Sequence, residues 1–153
     1  MVGWYPHLPN LSFKRRFAPR IRAGQKRHTI RAIRTRGFRY GDDLYLWIEQ
    51  RKPSREWIGF SKCAEVQEVR IDLGAEFGRL DFTIDGARLT LSEEDALARA
   101  DGFDDMRALY DFWIETHGIQ AFPWDGQIIH WEFPFRDYSD SPASRRKRRK
   151  ERK

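Results

Sequence analysis

The sequence predicts an α+β fold, a small mixed β-barrel with flanking helices, and three observations carry that prediction. Segments of two-residue alternation outnumber helical ones and mostly follow one another along the chain. The two clearest helices lie side by side late in the sequence and do not alternate with strands. An aromatic content of 14%, including six Trp and eleven Phe, gives a chain of 153 residues the material for one packed core.

Taken in order, residues 1–10 are rich in Pro and aromatics and read as an irregular arm. Leu11-Ser12-Phe13 reads as a short strand. Phe17, Ile21 and Gly24 recur at helical spacing, so residues 15–23 read as a short helix. Pro19 falls near its first turn, where proline is tolerated, and Gly24 suits the left-handed position after its end. His28 to Arg34 alternates as a strand, with Thr29, Arg31 and Ile33 on one face and Ile30 and Ala32 on the other. Gly41-Asp42-Asp43 is a turn, and Leu44 to Glu49 is apolar enough for a buried strand.

Glu56 to Asp72 fits one long strand or two shorter ones. Arg79 to Ile84, Asp85-Gly86 and Ala87 to Leu91 form a hairpin pattern. Ser92 followed by three acids predicts a helix N-terminus, with the helix running to about Ala100. Asp101-Gly102-Phe103 interrupts it. A second helix starts at Asp104-Asp105 and carries an apolar stripe through Met106, Leu109, Tyr110, Trp113 and Ile114. Ile128 to Phe133 is the last strand, which places the domain over 11–135. Residues 136–153 read as a disordered basic tail.

Charge is unevenly distributed. The net +6 is made largely by Arg145–Lys153, which holds eight bases and one acid. Lys14–Arg39 holds eleven bases and no acid, so a basic lobe faces an acidic remainder and concentrates anions on one side. Arg20, Arg22, Arg27 and Arg34 of the lobe, with Arg145, Arg146, Lys147, Arg148 and Arg149 of the tail, are the nucleic-acid-binding candidates. Trp4, Tyr5, Phe38, Tyr40 and Trp124 are candidates for stacking on bases. The longest apolar run is Leu44–Ile48, far short of the roughly 20 residues of a spanning helix. One cysteine, Cys63, excludes an intrachain disulfide and fits a reducing compartment, so a cytoplasmic protein is expected. His7, His28, His117 and His130 are scattered without zinc spacing, and neither metal nor cofactor is expected.

The centre of the chemistry is Gly24-Gln25-Lys26-Arg27-His28-Thr29-Ile30-Arg31. Threonine is a weak nucleophile that needs a base or a charged neighbour. Lys26 lies three residues away across a turn, in a region crowded with cations that lowers its pKa towards useful values.

This stretch, preceded by Arg16-Phe17 and followed by Gly41-Asp42, resembles the signature of ASCH domains, members of the PUA-like superfamily. Ala98-Arg99-Ala100-Asp101-Gly102-Phe103 is similar to the family's Glu-Gly-Phe segment, and the helix to Trp113 and the strand to Phe133 follow in the expected order. The resemblance covers residues 11–135 in three blocks. It implies a PUA-like barrel and a cleft for RNA or a modified nucleoside. Some small bacterial relatives of this kind are amidohydrolases that deacetylate N4-acetylcytidine with a lysine, a threonine and a glutamate. By that correspondence Lys26, Thr29 and Asp101 are the catalytic candidates, and Asp101 is one methylene shorter than the family's Glu. Arg31, Arg16 and Phe13 are the substrate-binding candidates. The alternatives are a non-catalytic RNA-binding module, or a ribonuclease with His28 as its only nearby histidine. The expected partners are a modified nucleoside or RNA, with non-specific nucleic acid on the tail and no membrane.

Overall fold

The computed structural model describes residues 10–33 and 36–152. The expected N-terminal arm, apart from Asn10, and Arg34 lie outside the described residues. The chain is α+β. Its strands are β1 (Asn10–Phe13), β2 (His28–Arg31), β3 (Asp43–Ile48), β4 (Glu56–Leu73), β5 (Leu80–Ile84), β6 (Ala87–Arg88) and β7 (Trp124–Trp131). Its helices are α1 (Ala18–Arg22), α2 (Leu91–Ala100), α3 (Met106–His117) and α4 (Pro142–Glu151).

One continuous strand organises the sheet. β4 settles the choice over Glu56–Asp72 in favour of a single element of 18 residues. Its first part pairs antiparallel with β3, its middle and end with β7, and its end also with β5 on the opposite edge. Register shifts between Leu46 and Trp47 and between Cys63 and Glu65 bend the ladder, as bulges do. β1 pairs parallel with β3, and β2 pairs antiparallel with β7.

The result is a seven-stranded mixed sheet that is not closed, in contrast to the barrel expected. Among the described residues β1 and β2 share no backbone ladder. A side chain bridges them instead: the Arg31 guanidinium donates to the Ser12 carbonyl at 2.7 Å.

Leu11, Leu44, Leu46, Phe82, Leu109 and Ile129 are fully buried and mark where the sheet meets α3 and its neighbours. The α3 stripe is core, as its spacing predicts, with Met106, Leu109, Tyr110 and Trp113 buried.

The expected strand Ala87–Leu91 shortens to Ala87–Arg88 with Leu91 in α2, β7 ends at Trp131 before Phe133, and four further differences from the sequence expectation stand out. β2 stops at Arg31, and Ile33 is exposed. Beyond that point Gln127 of β7 turns its amide to Phe38, accepting from its N–H at 3.0 Å and donating to its carbonyl at 3.3 Å. α2 is capped by Thr90, not Ser92, in a reciprocal box: Thr90 Oγ1 accepts from Glu93 N at 3.2 Å, and Glu93 Oε1 accepts from Thr90 N at 3.1 Å. β7 begins at Trp124, four residues before the expected start.

The fourth difference is the tail, where a helix stands in place of expected disorder. Ser141 accepts from Ser144 N at 3.1 Å and Pro142 occupies the first turn, so α4 has a proper start. Arg and Lys are good helix formers, and those in the last turn face the negative end of the helix dipole.

Candidate active site

Two chain reversals build the site. The first follows α1, where Arg20 O accepts from the N–H groups of Gln25 and Lys26 at 2.9 and 3.1 Å and tucks the chain back under the helix. Gly24 takes φ +75° there, and a Cβ at this position would stand 2.7 Å from the Phe133 ring. Only glycine meets both demands without strain. The reversal points Lys26 inward, where it is 3% exposed.

The second reversal ends α2. Asp101 is its C-cap, and Phe103 N donates to Ala98 O at 3.0 Å to close the turn. Gly102 has φ +102°, and its missing side chain makes room for Phe17 and for the Lys26 stem, whose Cδ would lie 3.2 Å from an added Cβ.

The two turns meet at the ammonium of Lys26. It donates to Asp101 Oδ1 at 2.7 Å and to the Asp101 backbone oxygen at 2.5 Å. A cation at a helix C-terminus is favoured by the dipole as well as by the carboxylate. Phe17 lies under the ammonium, 5.2 Å from ring centre to Nζ. His28 Nε2 approaches Asp101 Oδ1 to 3.2 Å, and among the described residues it finds no well-directed hydrogen bond.

Burial pulls the Lys26 pKa below the ordinary lysine value against the attraction of Asp101, and the Arg31 charge adds to the lowering. Burial alone would raise the Asp101 carboxyl, but Lys26 first and His28 second hold it below the ordinary value.

Thr29 and Arg31 lie on one face of β2, as alternation predicts. Arg31 Nε donates to Thr29 Oγ1 at 3.0 Å while its other nitrogen reaches Ser12 O, and its guanidinium stacks 5.0 Å from the Phe13 ring centre. Because Thr29 Oγ1 already accepts from Arg31, its own hydrogen is left to donate elsewhere. Lys26, Thr29, Arg31, Asp101 and Phe13 all line one cleft of about 250 Å³. The far wall of that cleft is aromatic: Phe112 and Trp113 come from α3, and Trp124 from β7 packs edge-on against Trp113 with centroids 4.7 Å apart.

Arg16 does not line the cleft itself. Its guanidinium sits over Phe17, Phe103 and Phe112, at 5.0, 5.3 and 5.5 Å from the ring centres, and these rings do line it.

Three other arginines of the basic lobe are engaged elsewhere. Arg20 pairs with Asp104, Arg22 with Glu56 at 3.3 Å, and Arg27 donates to Gly24 O at 2.7 Å while stacking on Phe133. Acids from distant segments therefore offset much of a run that reads as one basic surface. Arg145, Arg146, Lys147, Arg148 and Arg149 lie on α4 and contribute nothing to the cleft lining. Of the stacking candidates, Trp124 lines the cleft, Phe38 is buried, Tyr40 is exposed, and Trp4 and Tyr5 lie outside the described residues.

Sequence reasoning did not place His28 beside the carboxylate, nor Phe112 and Trp113 on the cleft wall. The signal for His28 was its position directly between Lys26 and Thr29. For the wall it was Trp113 on a stripe that serves core and cleft together.

Among the described residues no group of three His, Cys, Asp or Glu is placed to hold a metal, and no helix is long and apolar enough to cross a membrane. No protein-family model matches the chain, and no curated protein or solved structure is significantly similar to it.

Proposed function

We propose that this chain is an ASCH-type protein of PUA-like descent whose cleft hydrolyses the amide of an acylated nucleoside such as N4-acetylcytidine, acting in the cytoplasm. The observation that carries the reading is the buried Lys26–Asp101 pair opening into the same cleft as Thr29.

The chemistry follows from that arrangement. Thr29 Oγ1 attacks the acetyl carbonyl carbon as its proton passes to Lys26 in its neutral form, which burial makes accessible. The Arg31 cation beside Thr29 stabilises the negative charge that develops on oxygen. Lys26 then gives its proton to the leaving nitrogen as the carbon–nitrogen bond breaks, leaving an acetyl ester on Thr29 and free nucleoside. Water attacks that ester as Lys26 again takes the proton, and Lys26 returns it to Thr29 Oγ1 as the carbon–oxygen bond breaks and acetate leaves. Asp101 holds the amine in place throughout and compensates its charge when protonated. Phe13 under Arg31 and the wall of Trp113 and Trp124 suit a flat, planar base.

The shorter carboxylate does not weaken this reading, since Asp101 reaches Lys26 at 2.7 Å through its own side chain. The ribonuclease alternative is less favoured, because His28 is 5% exposed and does not line the cleft, while His117, the histidine that does, is stacked against Trp113 with no second histidine among the described residues of the lining.

A screen of acylated nucleosides with purified protein, and Lys26→Ala as control, tests the proposal. Release of free nucleoside by wild type and not by the variant is the expected outcome. Absence of turnover at high enzyme concentration on every acylated nucleoside would overturn it.

A further inference from the structure

The helix that replaces the expected disordered tail carries a feature the cleft does not use. α4 is anchored to the body at its start. Ser141 and Ser144 are buried, Ala143 N donates to the Tyr45 hydroxyl at 3.3 Å, and Arg148 donates to Ser139 O at 2.7 Å. The basic residues beyond are exposed. Arg145, Arg148, Arg149 and Arg152 follow the i, i+3, i+4, i+7 spacing and so share one side of the helix. Together they line a shallow concavity of about 410 Å³, and among the described residues no others line it. Among the described residues no salt bridge involves Arg145, Arg149 or Arg152.

Four arginines on one stripe repel each other at helix-neighbour spacing, which opposes the helix unless anions lie against it. We propose that this arginine face of α4 is a docking surface for the phosphate backbone of duplex nucleic acid. The stripe spans about 10 Å along the helix axis at about 1.5 Å per residue. That length faces about three phosphates of one strand at about 3.4 Å per phosphate along the duplex axis.

Arginine is the matching cation, because its planar fork binds phosphate oxygens in pairs. A lipid surface fits less well: α4 has no Leu, Ile, Phe or Trp to enter an acyl boundary. The face shares no residue with the cleft lining, so the inference stands whether or not the cleft deacylates nucleosides.

The test compares two triple variants of the full chain that lose equal charge. Arg145→Gln/Arg149→Gln/Arg152→Gln strips the face but leaves Arg148 on its Ser139 contact. Arg146→Gln/Lys147→Gln/Lys150→Gln strips the other sides. Gln is a comparable helix former, and circular dichroism checks that the helix remains. Binding of a labelled 20-base-pair duplex is followed by anisotropy across a salt series.

Wild type binds with affinity that falls linearly on a log–log salt plot. The face variant loses at least tenfold in affinity, and its slope is shallower by about 2.7, at about 0.9 per neutralised phosphate. The other variant changes its slope by less than half of that. A third variant, Arg145→Lys/Arg149→Lys/Arg152→Lys, keeps charge and helix and therefore keeps the slope. Equal losses in the two Gln variants would mean that bulk charge acts and no face exists. Failure of wild type to bind duplex, or binding only to phosphatidylserine vesicles, would also overturn the proposal.

Discussion

Replacing Asp101 by Asn tests the electrostatic core of the site with a change of one atom type. Lys26 would keep its bond to the Asp101 backbone oxygen but lose the carboxylate at 2.7 Å, and His28 would lose the same neighbour. The lysine side chain is 4% exposed, so water cannot replace the lost partner. Removing one partner of such a buried pair costs about 3–5 kcal/mol. At about 2–4 °C per kcal/mol for a chain of this size, the melting temperature should fall by about 6–20 °C near neutral pH.

The pH dependence carries a definite sign. Burial already lowers the Lys26 pKa below the ordinary lysine value, and losing Asp101 removes the two influences that raise it. The unfolded lysine then binds its proton more tightly than the folded one, so the stability of the variant rises with pH towards the unfolded pKa. The gap between wild type and Asp101→Asn should therefore narrow from pH 6 to pH 9, as thermal melts followed by circular dichroism would record. The double variant Lys26→Met/Asp101→Leu removes both charges and should recover most of the lost stability while abolishing activity. A melting shift under about 2 °C that is flat with pH would refute the buried-pair argument.

Further outcomes follow from the same contacts. Gly102→Ala forces a side chain into φ +102° against Phe17 and the Lys26 stem, so it should cost at least about 1–2 kcal/mol in urea melts and lower turnover. Arg31→Lys cannot bridge Thr29 and Ser12 at once, and kcat on an acylated nucleoside should fall by about tenfold or more with little change in fold. Cys63 is 1% exposed and burial pushes its thiol to about 11, so native protein at pH 8 should resist iodoacetamide while urea-unfolded protein reacts fully.

Much of this architecture is legible in the sequence where the signals are local. Gly24 after a short helix, Asp85-Gly86 between alternating segments and the α3 stripe each fix their own geometry, and the structure places all three as read. The face shared by Thr29 and Arg31 is another local signal, because alternation alone puts them together.

What the sequence does not expose depends on partners far along the chain. Among the described residues β1 and β2 share no ladder and are joined by the Arg31 side chain instead, and no local pattern announces that. The basic lobe reads as one surface, yet Glu56 and Asp104 pair with its arginines from 34 and 84 residues away. α4 was hidden by its composition: charge density suggested disorder, while the Ser141-Pro142 start and the Tyr45 contact supply the anchoring. Asp101 was singled out only by the resemblance of its segment to the ASCH Glu-Gly-Phe pattern, and the reach of its shorter side chain to Lys26 needed the fold.

The most direct measurement is the rate of cytidine release from N4-acetylcytidine by wild type, Thr29→Val and Lys26→Met, each checked for a native melt. The account predicts turnover by wild type and a loss of about a thousandfold or more in kcat for each variant, since nucleophile and base act as a unit. Folded Thr29→Val protein that releases cytidine at the wild-type rate would contradict it.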